Sequence, residues 1–203
     1  MNLMRLFAPI LRPVMKRGIE MRRSQFDTLP KVADRVVFLG DSITEFGQWD
    51  EWFPELPTLN RGIGGDTVEG VLQRLRVAVF EPRVVSLLIG TNDLSGLGRS
   101  HRVADIAAQM DTLLARIKEL APDALLLVNS VMPRAKSLAD DVQQLNRLYH
   151  DPATKYGATW VDVWSAMAGP DNTLRKDLSS DGIHLNGAGY QIWTDLLRPH
   201  LGA

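Results

Sequence analysis

A series of short apolar runs that do not alternate with polar residues restricts the fold of this chain more than any other feature. They occupy residues 35–39 (RVVFL), 84–89 (VVSLLI), 124–129 (ALLLVN) and 159–163 (TWVDV), with a weaker run at 57–60. A strand with one wet face alternates, whereas a strand covered on both faces is apolar throughout. The intervening stretches carry a helical period instead. Over 101–120, Val103, Ile106, Met110, Leu113, Leu114, Ile117 and Leu120 form one face, with His101 at the start. Over 66–79, Asp66 with Glu69 three residues later reads as a capping box ahead of the stripe Val68, Val71, Leu72, Leu75 and Val79. Two further helices are expected over 138–150 and 186–201. Strands that alternate with helices pair in parallel through right-handed crossovers, which predicts a three-layer α/β/α sandwich around a five-stranded parallel sheet. At 203 residues there is enough chain for one full core, and no linker-like composition divides it.

In such a sheet ligands bind beyond the carboxyl ends of the strands. GDSIT (40–44), NRGIGGDT (60–67) and GTND (90–93) follow the first three strands, and DGIHLN (181–186) precedes the last helix, so all four can reach one rim. Ser42 is a candidate nucleophile if a base lies within reach and a third group orients that base. Thr44 stands where a GxSxG elbow would need glycine, and no serine is followed at the third position by lysine. Read alone, Asp41 and Ser42 are better taken as the cap of the next turn. Of the four histidines, only His184 sits in a loop with an aspartate, Asp181, three residues earlier. That spacing lets the carboxylate hold one imidazole nitrogen and leaves the other to accept a proton. Alternatively it is a turn with a helix cap. GIGG at 62–65 offers backbone N–H groups to an anion, yet neither GxGxxG nor GxxxxGK[ST] is present, so nucleotide binding is poorly supported. Asn92 carries the neutral amide donor that a tetrahedral oxyanion needs. Asp41 and Thr44 also invite comparison with an aspartate-based phosphatase loop, D-x-D-x-T, but Ile43 occupies the position of its second acid.

Taken together and in this order, the four segments resemble the conserved blocks of the SGNH/GDSL hydrolase superfamily. The resemblance implies a flavodoxin-like SGNH hydrolase fold and a serine esterase. It assigns Ser42 as nucleophile, His184 as base and Asp181 as the acid that orients it. Its oxyanion hole would draw on the Ser42 and Gly65 N–H groups and the Asn92 side chain, with Gly64 replacing Gly65 if the loop is read one residue differently. NRGIGGDT followed by VEGVLQRL, Met-Pro-Arg at 132–134 and HLNGAGY at 184–190 are similar to the platelet-activating-factor acetylhydrolase-like branch. That likeness spans about residues 15–201 and implies hydrolysis of short-chain, chiefly acetyl, esters. GTND departs from the GTNN of the mammalian acetylhydrolase subunits, which leaves the substrate open. Acyl transfer, thioester cleavage and lysophospholipid cleavage would use the same groups. A non-catalytic α/β binding module is the distant alternative.

The remaining expectations come from composition. A net charge of −1 gives no global footprint for nucleic acid, and the lack of cysteine removes disulfides and thiolate chemistry. No metal or cofactor is required. Residues 1–30 form a basic helical extension, packed on the domain or on a partner, ahead of a hydrolase domain at 31–203; a homodimer is plausible on the acetylhydrolase likeness. Arg5, Pro9, Arg12 and Pro13 interrupt the apolar N-terminal stretch, so neither a signal peptide nor stable membrane insertion is expected, and the location is read as cytoplasmic. Asp41, Trp49 and Ile183, with Trp52 and Phe53, are the candidates for walls of the acyl or alcohol pocket.

Overall fold

The computed structural model describes residues 17–96 and 102–202. Residues 1–16 of the basic extension and the helix start expected at His101 lie outside them. Five strands form one parallel sheet: β1 (Val36–Gly40), β2 (Thr58–Gly62), β3 (Val84–Leu88), β4 (Leu125–Asn129) and β5 (Thr159–Val161), in the order β2-β1-β3-β4-β5. This is the flavodoxin-like order, whose switch point lies between β1 and β3, where successive crossovers leave in opposite directions. β1 and β3 are buried along their whole length, as runs without polar alternation require.

Alternation within each strand divides the core into two layers. Val37, Leu39, Val85, Leu87, Leu126 and Val128 face α4 (Val68–Gln73), α5 (Leu75–Ala78), α7 (Val103–Leu120) and α8 (Ala139–Lys155). Val36, Phe38, Val84, Leu88 and Leu127 face α3 (Trp49–Trp52), α9 (Val163–Met167) and α10 (Gly187–Leu201). The second layer contains a buried polar chain. Trp193 Nε1 donates to Asn129 Oδ1 at 2.9 Å, and Asn129 Nδ2 donates to Ser86 Oγ at 3.0 Å, so these three polar side chains are paired rather than stranded.

Three local expectations are revised. Asp66 does not cap α4; Thr67 does, its hydroxyl accepting the Gly70 N–H at 3.2 Å. The Asp66 carboxylate is buried and takes Arg74 Nε at 2.6 Å and Arg23 Nη2 at 3.1 Å, since a desolvated charge needs an opposite charge more than a cap needs a carboxylate. The helix expected over 66–79 accordingly breaks at Arg74, which leaves helical geometry to reach that ion pair. The run at 159–163 is strand only to Val161, because the Asp162 side chain accepts the Ser165 N–H at 3.1 Å and starts α9.

Residues 17–28 form α1, packed beside β2. Its anchor is Phe26, buried at 6% exposure, with the guanidinium groups of Arg22, Arg61 and Arg74 4.8–6.0 Å from the ring centroid. Each such cation–π contact is worth about 0.5–1 kcal/mol or more once desolvated. Among the described residues, no helix is long and apolar enough to cross a membrane.

Candidate active site

β1 ends on Gly40 because nothing larger fits: a Cβ there would lie 2.2 Å from Leu88 O and 2.3 Å from Thr44 Oγ1. Asp41 then caps the four-residue helix α2 (Ser42–Glu45), its carboxylate accepting the Ile43 N–H at 2.9 Å. Two side chains hold this turn, one from α10 and one from α3. Tyr190 Oη donates to Ile43 O at 2.6 Å, and Trp49 Nε1 donates to Thr44 O at 2.9 Å. Ser42, the first residue of α2, is thereby fixed at the rim beside the switch point.

His184 arrives from a loop 142 residues away in sequence, and its Nε2 lies 2.9 Å from Ser42 Oγ. Its Nδ1 is 2.7 Å from Asp181 Oδ2, while Asp181 Oδ1 accepts the backbone N–H groups of His184 at 2.8 Å and Ile183 at 2.9 Å. The turn needs left-handed backbone at Gly182, φ 75°, where glycine carries no penalty. Partial burial by itself raises the Asp181 carboxyl. The His184 ring and the two backbone donors outweigh that and hold it well below the usual carboxylate range. Asp181 is thus an anion that fixes the imidazole in the tautomer with hydrogen on Nδ1, which leaves Nε2 free to accept the serine proton.

The glycine loop closes the other side. Ile63 N–H donates to Gly40 O at 3.1 Å, and a Cβ added to Gly64 would stand 3.7 Å from Ser42 Cβ, so the loop runs alongside the serine. Gly64 N–H is already committed: it donates to Glu45 Oε2 at 2.6 Å. Gly65 has φ 80°, and its N–H makes no hydrogen bond among the described residues, so of the two glycines it is the one with an uncommitted donor. Asn92 stands in α6 (Thr91–Leu94), where its Nδ2 donates one hydrogen to Asp66 O at 2.9 Å and keeps a second. Arg134 braces the same turn, bonding Thr91 O at 3.2 Å, Thr91 Oγ1, and Ser95 Oγ at 3.3 Å.

Ser42, His184, Asp181, Gly65 and Asn92 therefore meet at one rim; the expected pocket walls do not all follow. Trp49 is 1% exposed, stacked on Phe38 at 3.8 Å and edge-on to Trp193 at 4.9 Å, and Phe53 is fully buried. Both fill the core, the largest favourable use of an aromatic surface. Asp41 is also withdrawn as a wall: it is 1% exposed, and burial pushes its carboxyl up to about 7. The same burial removes it from attack on a phosphate. Ile183 and Trp52 are half-buried. The exposed aromatic beside the imidazole is instead Phe46, 54% exposed with its ring 5.2 Å from that of His184. Position 46 has no periodic or motif signal, and neither Phe46 nor the Glu45 contact is readable from sequence. A cavity of about 450 Å³ lies elsewhere, between α8 and the β5–α9 corner, lined by Asn146, Arg147, His150, Trp160 and Trp164 among others.

Comparison with known proteins agrees with this geometry. The family model described as GDSL-like lipase/acylhydrolase matches residues 38–192, which takes in the serine turn, the glycine loop, Asn92 and the Asp181–His184 loop. Platelet-activating factor acetylhydrolase IB subunit alpha1 of Rattus norvegicus is 30% identical over 166 residues, covering 76% of this chain and 69% of that protein. Two solved structures share the fold. A GDSL-like lipase from Bacteroides thetaiotaomicron aligns with TM-score 0.79 at 24% identity, over 91% of this chain and 97% of that one. An acetylxylan esterase from Geobacillus stearothermophilus aligns with TM-score 0.67 at 22% identity, over 86% and 97%.

Proposed function

The chain belongs to the GDSL-like lipase/acylhydrolase family and is a carboxylic ester hydrolase, and from that premise we propose that Ser42, His184 and Asp181 cleave short-chain acyl esters, chiefly acetyl esters, through an acyl-enzyme. The observation that carries the assignment is the continuous relay from Ser42 Oγ to His184 Nε2 at 2.9 Å and from His184 Nδ1 to Asp181 Oδ2 at 2.7 Å. Ser42 Oγ attacks the ester carbonyl carbon as its proton passes to His184 Nε2. The carbonyl oxygen becomes an oxyanion, received by the N–H groups of Ser42 and Gly65 and the free hydrogen of Asn92 Nδ2. The imidazolium, facing the Asp181 anion, protonates the leaving alcohol as the C–O bond breaks. Water then repeats the sequence: His184 takes its proton, the hydroxide adds to the acyl carbon, and Ser42 Oγ leaves with the proton returned.

The acetyl preference rests on two relatives, one named an acetylhydrolase and one an acetylxylan esterase. Hydrolysis of p-nitrophenyl acetate, butyrate and octanoate by the wild type and Ser42→Ala, with a chelator present, tests both levels of the reading. Chelator-resistant turnover that falls with chain length and disappears in Ser42→Ala is the expected result. Equal turnover in both proteins would reject Ser42 as nucleophile; a rise toward octanoate would reject the acetyl preference alone. Homodimerisation and action in the cytoplasm are part of the same proposal. A solution mass of about one chain and recovery of the protein outside the cytoplasmic fraction would overturn them respectively.

A further inference from the structure

Glu45 places a carboxylate beside the loop that would have to stabilise a negative charge, an arrangement that opposes the proposed chemistry unless something neutralises it. Two features do. Glu45 Oε2 is tied to Gly64 N–H at 2.6 Å, and Oε1 lies 3.0 Å from Arg22 Nε, on the helix α1 that precedes the first strand. The same Arg22 nitrogen donates to Gly62 O at 3.0 Å, two residues before Gly64. At the next position of α1, Arg23 Nη2 reaches Asp66 Oδ1 at 3.1 Å and Gly70 O at 3.2 Å. Asp66 O in turn accepts Asn92 Nδ2 at 2.9 Å. Two adjacent arginines of α1 thus grip both ends of the glycine loop, although neither touches the serine, the histidine or the aspartate.

We propose that Arg22 and Glu45 form a charge-compensated clamp that positions the oxyanion donors: Glu45 holds the loop by Gly64 so that Gly65 faces the substrate, and Arg22 cancels the carboxylate that does so. The inference rests on the serine esterase reading above. Both are positioning residues, acting through the loop rather than on the ester. The side chains of Arg22 and Glu45 are 28% and 25% exposed, so water screens the pair only in part. Removing the arginine charge leaves an uncompensated anion whose repulsion grows as the carbonyl oxygen becomes negative. It penalises the transition state more than the bound substrate, and so lowers kcat rather than raising KM.

Charge suppression distinguishes this from simple bracing. Arg22→Gln is expected to lower kcat for p-nitrophenyl acetate on the order of tenfold at nearly constant KM, less than the loss of a whole oxyanion donor. Adding Glu45→Gln to it removes the offending charge while keeping an oxygen for Gly64 N–H, and should recover most of that loss. Arg22 acting only as a brace on Gly62 O predicts no recovery, and that outcome overturns the proposal, as does an Arg22→Gln variant with unchanged kcat. If Arg22→Gln fails to fold, Glu45→Ala against Glu45→Gln in the presence of Arg22 tests the other half. The alanine variant, which frees Gly64, should lose clearly more kcat than the glutamine variant; equal losses reject the clamp. Ser42→Ala run alongside separates the cases, since an active Ser42→Ala would overturn the esterase reading itself, whereas an inactive one with unaltered clamp variants overturns only the clamp.

Discussion

Replacing Asn92 tests the oxyanion assignment most directly, because its side chain has two amide hydrogens with two separable destinations. One is donated to Asp66 O at 2.9 Å and holds the glycine loop; the other is uncommitted and is the one proposed to meet the oxyanion. Asn92→Ala removes both. The structural part is a single hydrogen bond at a half-buried position, worth about 1 kcal/mol of folding stability. The catalytic part is the loss of a preorganised donor, about 100- to 1,000-fold in kcat or about 3–4 kcal/mol of transition-state stabilisation. Asn92→Asp sharpens the comparison. It is nearly isosteric, yet it sets acceptors where there were donors, against both Asp66 O and the developing oxyanion. At about 4 Å and an effective dielectric near 20, the repulsion between two full charges is about 4 kcal/mol. Steady-state kinetics on p-nitrophenyl acetate, with circular dichroism and urea denaturation to certify folding, should therefore rank kcat as wild type, then Asn92→Ala, then Asn92→Asp. A folded Asn92→Ala within fivefold of wild type, or an Asn92→Asp more active than Asn92→Ala, would refute the assignment.

Other predictions follow from burial and close approach. Asp41 and Asp93 both have carboxyl groups that burial raises to about 7, so between roughly pH 4 and 7 the folded chain binds more protons at these sites than the unfolded chain does. Their linkage makes stability fall as pH rises through that window. Asp41→Asn keeps the cap on Ile43 N–H without the titration, and the stability difference between pH 5 and pH 8 in urea melts should shrink; an unchanged difference would reject the buried-acid account. Trp49→Ala should cost about 3–5 kcal/mol in denaturation experiments and leave chain-length preference unaltered, whereas a changed preference in a stable variant would restore Trp49 as a pocket wall. Gly40→Ala forces a methyl to 2.2 Å from Leu88 O and should destabilise by several kcal/mol; a neutral result would mean that the β1–β3 ladder yields more readily than this packing implies.

The order of apolar runs and periodic stretches determined the sheet, because a strand buried on both faces can be built from few other patterns. Spacing likewise made the Asp181–His184 pair legible, since three residues around a glycine turn bring carboxylate and imidazole together without help from the rest of the chain. Segment order also indicated that Ser42, Gly65 and Asn92 share a rim, as the carboxyl ends of parallel strands lie on the same side. Tertiary packing alone decided the rest. Trp49 and Phe46 lie three residues apart in a short aromatic segment, and only the position of α10 puts one against Phe38 and Trp193 and leaves the other exposed beside His184. Asp66 reads as a cap until Arg74 and Arg23 converge on it, because local patterns describe hydrogen bonds to near neighbours and carry nothing about charges 43 residues away. The same holds for Arg22 and Glu45. Their pairing across the glycine loop depends on where α1 docks, and that is fixed by Phe26 among its arginines rather than by anything in GDSIT or GIGG.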